Sequence, residues 1–329
     1  MAMNRVGAAE FKIITEDFNK CVDGYLVGYA KRFSTFLRAC PEAFAGLTRL
    51  HLENLRFSDP DAISSILAAC ERLESLHLFE CDGGVESVLQ LEHGRLVELE
   101  ISYGRFGTVE LIWLPKLRRM VYDNWAFDED PLFFGYVPQL SMLSLTNTYL
   151  SNDTDERIEL SQLLINVTSI SDMHLDFQSE MIWVQPECPK WLSPVLDAPS
   201  LEEMCLSVRD HGCGAETRRA HCKKRDVQWE PSLGADFKHE NLARLTIYGF
   251  QSAHRFIRYV KRVMSVAVNM KEISLHDTKV CDFCTEEFGL KRDDCLSKYT
   301  RTSRKKDLLR ERITEGLVMT SPAVIHFRS

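Results

Sequence analysis

The hydrophobic pattern of the chain is built around one short arrangement of apolar positions, seen most clearly in LESLHLFEC. Leu73 is followed three positions later by Leu76, and Leu78 comes two positions after that. Successive side chains of an extended strand point to opposite faces, so Leu76 and Leu78 share one face and their neighbours share the other. The stretch therefore predicts a β-strand with one apolar face and one polar face, ending just before Cys81.

This arrangement recurs in order along the chain. Its copies begin at Leu47, Leu73, Leu96, Leu117, Leu140, Ile170, Leu201, Leu242 and Met270. The shorter intervals between copies lie in the range of about 20–29 residues that is typical of leucine-rich repeats. A β-sandwich is disfavoured, because its strands would follow one another about every 8–12 residues. We therefore predict an α/β fold, a leucine-rich-repeat solenoid (horseshoe) with a parallel sheet on its concave face.

Helical spacing of apolar residues appears between the predicted strands. The predicted helices span residues 27–39, 61–70, 159–165, 256–267 and 307–313. The first should end near Cys40-Pro41, because a residue before proline disfavours the helical conformation. It is predicted to cap the open end of the repeat stack, whose terminal repeat cannot bury its own apolar face. The final SPAVIHFRS is predicted to add one extended edge segment.

The amino-acid composition indicates which kinds of partner and which cellular compartment to expect. The net charge of -8 and the pI of about 5.7 disfavour a general nucleic-acid binder. No apolar run approaches the roughly 18 residues that a membrane span needs, and the first residues lack the apolar core of a signal peptide. Eleven cysteines without a predicted secretion signal favour reduced thiols. We predict a cytoplasmic or nuclear protein that does not enter a membrane.

Two features of the sequence are candidates for a metal site and for nucleic-acid contacts. Cys281 and Cys284 have the spacing of zinc ligands, and His276 with Cys295 would complete a set of four. Free thiols are the favoured interpretation, because no second CxxC pair follows. Basic runs at 218–225 and 301–306 have the composition of a nucleic-acid contact or a nuclear-import signal, but nearby acids favour solvated loops. No nucleophile or phosphate-binding motif is present, so we predict no enzymatic activity and no cofactor.

Several segments together resemble a known family. These are KRFSTFLRACPEAFAGLTRLHLENLRF, GYVPQLSMLSLTNTYLS, and a last block with LTIYGFQS, FIRYVKRVM and AVNMKEISLHD. They resemble the repeat region of plant F-box/leucine-rich-repeat proteins, and the last block resembles the FBD region at their C-terminal end. The resemblance covers roughly residues 31–329. It implies an N-terminal helical cap at 1–45, repeats at 46–235 with a loop excursion at 207–241, and FBD-like terminal repeats with a charged segment at 236–329.

The chain departs from this family at its beginning. An F-box opens with a leucine-proline pair, and here the pair occurs only as Leu114-Pro115, inside a repeat. Residues 1–30 do not resemble an F-box. The resemblance implies a protein-interaction module like the substrate-recognition part of an SCF-type ubiquitin-ligase adaptor. The alternative is a stand-alone binding protein that recruits no ligase. A Skp-type ligase subunit is an expected partner only if an F-box exists elsewhere.

The expected contact surface for a protein target is the concave side of the sheet, where the residues beside the buried leucines point outward. Aromatic side chains would anchor a partner, and the acids would favour a basic segment. The predicted partner-binding residues are His51, Ser75, His77, Phe79, Glu98, Glu100, Asp123, His174, Asp176 and Tyr248.

Overall fold

A computed structural model describes residues 8–12, 23–124, 132–146, 164, 166–176, 198–208, 238–277, 299–317 and 323–328. The chain divides into two compact units, Met1–Ser169 and Ile170–Ser329. Both are α/β, and all the strand pairings described in them are parallel. The predicted divisions at 45/46 and 235/236 stay predictions.

The main sheet of the first unit holds five copies of the apolar pattern. Its strands, in spatial order, are β1 (Ala8–Lys12), β2 (Arg49–Glu53), β3 (Ser75–Phe79), β5 (Glu98–Ser102), β7 (Arg119–Asp123) and β9 (Met142–Thr146). The pairings keep the pattern in register, so that Leu50 lies beside Leu76, and Leu76 beside Leu99. These leucines are at most 2% exposed and form the core behind the sheet. The predicted strands of this region are therefore confirmed.

A second parallel sheet lies in the first unit, and it was not predicted from the hydrophobic pattern. It consists of β4 (Asp82–Glu92), β6 (Arg105–Trp113) and β8 (Leu132–Tyr136). Each of these strands follows a strand of the main sheet along the chain. Val109 and Leu111 of β6 are fully buried, and Phe134 of β8 is 2% exposed. In three successive repeats of this unit, the segment that follows the main-sheet strand is therefore a second strand and not a helix.

Two of the three helices described in the first unit were expected from periodicity, and the short second one was not. The three helices are α1 (Asp23–Ala39), α2 (Pro41–Phe44) and α3 (Ala62–Ala69). The first begins four residues before the predicted start and ends at Ala39, where Cys40-Pro41 stops it. It buries Ala30, Phe33 and Leu37, which recur at helical spacing. The predicted helix at 159–165 lies outside the described residues, apart from the buried Leu164.

The sheet of the second unit contains the remaining four copies of the pattern and one added edge strand. Its strands are β10 (Asp172–Asp176), β11 (Glu203–Ser207), β12 (Arg244–Tyr248), β13 (Glu272–His276) and β14 (Val324–Arg328). The helix α4 (His254–Val266) overlaps the predicted helix 256–267, and α5 (Ser303–Thr314) contains the predicted helix 307–313. The edge segment predicted from SPAVIHFRS is confirmed as β14. Most of the predicted loop excursion, 209–237, lies outside the described residues.

A left-handed backbone turn follows four strands of the main sheet in the first unit. Asn54, Glu80, Tyr103 and Asn124 each come directly after a strand and have φ between 50 and 58°. The backbone N–H of each donates to the carbonyl of the last residue of the neighbouring strand, at 2.7–3.1 Å. The turn is thus stabilised between repeats, which offsets the cost of about 1–2 kcal/mol that a side chain incurs in this conformation. The repeats consequently turn away from the sheet at the same position.

Buried polar side chains also join neighbouring repeats. The Cys81 thiol donates to the Leu52 carbonyl at 3.5 Å. His93 Nδ1 accepts from the Arg95 N–H at 3.3 Å, so the opposite nitrogen carries the proton and donates to the Cys70 carbonyl at 3.1 Å. His239 makes the same two kinds of contact in the second unit, at 3.0 and 2.9 Å. Each of these histidines stands three residues before the first apolar residue of its repeat.

Candidate partner-binding face

The outward positions of the five-residue strands form rows across each sheet, because every pairing is in register. In the first unit three rows cross β2, β3, β5, β7 and β9. The first row is Arg49, Ser75, Glu98, Arg119 and Met142; the middle row is His51, His77, Glu100, Val121 and Ser144; the last row is Glu53, Phe79, Ser102, Asp123 and Thr146. We call this surface the polar face of the first unit. It gathers seven of the predicted partner-binding residues.

The middle row begins with a contact network that crosses four strands. The rings of His51 and His77 are 4.3 Å apart and nearly perpendicular. His77 Nε2 lies 3.3 Å from one oxygen of Glu100, and the other oxygen lies 3.5 Å from Arg119 Nη1. His51 Nε2 lies 3.4 Å from Glu53 Oε2. Neither histidine nitrogen has the geometry of a hydrogen bond, so these are electrostatic contacts that strengthen when a histidine is protonated.

Burial and charge act on His77 in opposite directions. Burial lowers its pKa below the usual value, because the charged ring loses water. Glu100 opposes that effect, whereas His51 reinforces it, since two cationic rings in contact would repel each other. The net effect lowers the pKa of His77, which favours its neutral form near pH 7. Glu100 remains partly exposed, at 34% of its side chain, and available to a partner.

Aromatic side chains extend this network at the end of the strand. The Phe79 ring is 6.2 Å from His77 and 5.6 Å from the ring of Tyr103. Tyr103 is 39% exposed and is held by the left-handed turn after β5. It was missed in the sequence analysis, because it lies just beyond the strand and outside the alternating pattern. The paired rings form an apolar edge beside the charged row.

The second unit presents three rows of the same kind. The first row is Asp172, Glu203, Arg244, Glu272 and Val324; the middle row is His174, Cys205, Thr246, Ser274 and His326; the last row is Asp176, Ser207, Tyr248, His276 and Arg328. We call this surface the polar face of the second unit. It holds the remaining predicted residues, His174, Asp176 and Tyr248.

Ion pairs and histidine contacts join neighbouring strands on this face, as they do on the polar face of the first unit. Arg244 pairs with Glu203, and His174 Nε2 lies 3.1 Å from Ser207 Oγ. Burial raises the pKa of Asp172, an effect that His174 and Arg244 oppose. In the next strands Glu272 Oε1 lies 3.3 Å from the Arg328 guanidinium and 3.6 Å from His326 Nε2. Carboxylates in this face are thus already in contact with cationic or hydrogen-bonding groups.

Tyr248 and His276 form the aromatic part of the second face. Their rings are 4.4 Å apart and tilted by 35°. The sequence also nominated His276 as a zinc ligand with Cys281, Cys284 and Cys295, but those three cysteines lie outside the described residues. Within the described part of the chain, no group of three or more metal-ligating side chains is assembled.

No protein-family model and no curated protein sequence matches the chain. What the two faces can bind therefore follows from their own side chains. Among the helices that the structure describes, none has the length and apolar character to cross a bilayer.

Acidic groups outnumber basic ones on both faces. In the first unit the carboxylates are Glu53, Glu98, Glu100 and Asp123, and the guanidinium groups are Arg49 and Arg119. In the second unit the carboxylates are Asp172, Asp176, Glu203 and Glu272, and the guanidinium groups are Arg244 and Arg328. Each face therefore carries two more carboxylates than guanidinium groups.

Proposed function

We propose that this chain is a protein-interaction module whose polar faces bind a basic segment of a partner protein. The observation that carries the proposal is the middle row of the first unit. There His51, His77 and Glu100 lie in contact across three strands, Arg119 of the first row extends the contacts to a fourth, and the Phe79 and Tyr103 rings lie beside them. Such a row combines charge, hydrogen-bonding groups and aromatic surface, which is the composition of a binding energy hot spot.

The charge balance favours a basic partner over an acidic one. Glu98 is exposed at the start of β5, and Glu100 lies two residues along the same strand. A lysine or arginine of the partner would meet these carboxylates while an adjoining apolar side chain covers Phe79. Charge complementarity of this kind chiefly determines specificity and association rate, so binding should weaken as salt rises.

The resemblance to plant F-box/leucine-rich-repeat proteins supports a narrower form of the proposal. In that form the chain is the target-recognition part of an SCF-type ubiquitin-ligase adaptor, with the polar faces on the concave side of a leucine-rich-repeat horseshoe. The parallel sheets and their in-register repeats are compatible with that architecture. A Skp-type subunit would join such a protein to the ligase through an F-box.

Proximity labelling in cells tests the proposed face. The test variant combines Glu98→Lys and Glu100→Lys, and the control combines Glu71→Lys and Glu92→Lys, two exposed acids outside the polar face. Both variants change the net charge by the same amount. We expect the test variant to lose partners that the wild type and the control retain. Identical partner sets for all three proteins would reject the face as a binding site.

The ligase context needs a separate experiment. Co-purification of the tagged chain with a Skp-type subunit would support the adaptor role. Failure to co-purify, together with a partner set that still depends on Glu98 and Glu100, would favour the stand-alone binding protein. The two experiments thus separate the binding face from the ligase assignment.

A further inference from the structure

A stripe of exposed aromatic residues runs along helix α1. Tyr25 is 67% exposed, Tyr29 is 37% exposed and Phe36 is 45% exposed. Arg32 lies on the same stripe, with its guanidinium carbon 5.7 Å from the centre of the Tyr29 ring. Residues spaced four, three and four apart lie within one narrow sector of a helix, because 3.6 residues complete a turn. The stripe borders the buried face of α1 and includes no residue of either polar face.

This spacing is that of the a and d positions of a coiled coil. Tyr25 and Arg32 take one heptad position, and Tyr29 and Phe36 take the other. Helices with such a seam bury it against another helix. In the first unit Phe36 touches Phe44 at a ring distance of 5.4 Å, and the stripe otherwise keeps the exposures given above. Aromatic surface presented in a line is characteristic of an interaction site.

The order of spacings, four-three-four, reads the same from either end. We propose that α1 pairs antiparallel with α1 of a second copy of this chain, with the two-fold axis passing between Tyr29 and Arg32. In this register Tyr25 of one copy lies opposite Phe36 of the other, and Tyr29 lies opposite Arg32. The four layers comprise two aromatic pairs at the ends and two cation–π pairs at the centre.

Arg32 decides the direction of the pairing. A parallel pair in register would place the two Arg32 guanidinium groups against each other, and like charges in contact repel. The antiparallel pair instead places each Arg32 guanidinium over the Tyr29 ring of the other copy. Within a single chain the guanidinium carbon of Arg32 already lies near the Tyr29 ring. A charged residue at one core position of a coiled coil specifies register at some cost in stability.

The area of the stripe makes the association weak. A buried aromatic side chain covers about 150–250 Å², so the exposed parts of the three rings offer roughly 300 Å² per copy. A standard interface buries about 800 Å² per partner. The dimer should therefore form reversibly and only at high protein concentration.

Sedimentation equilibrium of the full chain tests the pairing. We expect a monomer–dimer equilibrium for the wild type, and a dissociation constant raised roughly tenfold by Arg32→Glu, since two cation–π contacts are lost per dimer. The double variant Tyr29→Arg with Arg32→Glu places an arginine of one copy opposite a glutamate of the other in each central layer. It should restore the affinity to within a few-fold of the wild type.

The control is Tyr136→Lys, which alters an aromatic residue of β8 that is 56% exposed and lies outside the stripe. It should leave the dissociation constant unchanged. Thermal unfolding of each variant checks that the fold is intact, and Tyr25→Lys provides a second exposed position whose substitution must also weaken the dimer. A chain that stays monomeric at every concentration overturns the proposal. So does a dimer that Arg32→Glu leaves unchanged or that the double variant fails to restore.

Discussion

Replacement of Gly249 by alanine should destabilise the second unit far more than its backbone conformation alone explains. Gly249 follows β12 and has φ of 74°. A Cβ at this position would collide with the Val208 carbonyl oxygen and would lie 2.9 Å from the Val208 carbonyl carbon. Both obstructing atoms belong to backbone, so no side-chain rotation relieves the collision. The chain segments around β11 and β12 must instead move apart.

The expected loss of unfolding free energy in Gly249→Ala has two parts. Holding alanine at positive φ costs about 1–2 kcal/mol. Separation of the strands then disturbs the hydrogen bond from the Val208 N–H to the Tyr248 carbonyl, at 2.9 Å, and its neighbours in the ladder. Each such bond contributes about 1 kcal/mol. We therefore expect Gly249→Ala to lower the free energy of unfolding by roughly 3–5 kcal/mol, which is exceptional for one methyl group.

Gly316→Ala provides a matched control in the same unit. Gly316 has φ of 75°, and an added Cβ would meet no atom within 4 Å. The Gly316→Ala substitution should therefore cost only the free energy of holding alanine at positive φ. Denaturant unfolding followed by far-ultraviolet circular dichroism gives both free energies from the same transition. If the two variants lose equal stability, the close approach of Gly249 to Val208 is wrong.

Thiol accessibility and pH provide two further tests. Cys40 is exposed, whereas burial raises the pKa of Cys70 to about 11 and of Cys81 to about 12. Mass spectrometry after brief alkylation should therefore find Cys40 modified before Cys70 and Cys81, and modification of Cys70 and Cys81 before unfolding would contradict their burial. Burial also lowers the pKa of His93, so its stabilisation is present above about pH 6.5 and lost as pH falls through its folded-state pKa. His93→Gln should reduce the loss of unfolding free energy between about pH 7.5 and 5, and an equal loss would contradict the neutral role of His93.

Periodicity predicted the strands that contain the apolar pattern, because two buried leucines on one face identify a strand by themselves. It did not predict β1, where Ala8–Lys12 (AAEFK) has too few large apolar residues to signal a strand. That segment becomes extended through pairing with β2, a contact distant in sequence. The second sheet was missed for another reason. Its first strand contains Gly83 and Gly84 and pairs with β6 through register shifts, which obscure the alternation.

The candidate face was predicted residue by residue but not as an arrangement. Alternation identifies His77 as outward, since Leu76 and Leu78 on either side of it are 1% and 0% exposed. That Glu100 lies beside it also requires β3 and β5 to be neighbours in one sheet, and the intervening strand β4, which belongs to another sheet, was not predicted. The structure makes β3 and β5 neighbours and pairs His77 with Glu100 directly.

Because the buried leucines fix the register, the outward residues are free to differ without altering the strands. A one-residue slip would turn Leu76 and Leu78 to solvent and would cost about 1.5–3 kcal/mol for each. The fold therefore constrains where a side chain at position 77, 98 or 100 stands, but not which side chain it is. This separation makes the polar faces suitable for recognition. It also explains why substitutions there should change partners before they change stability.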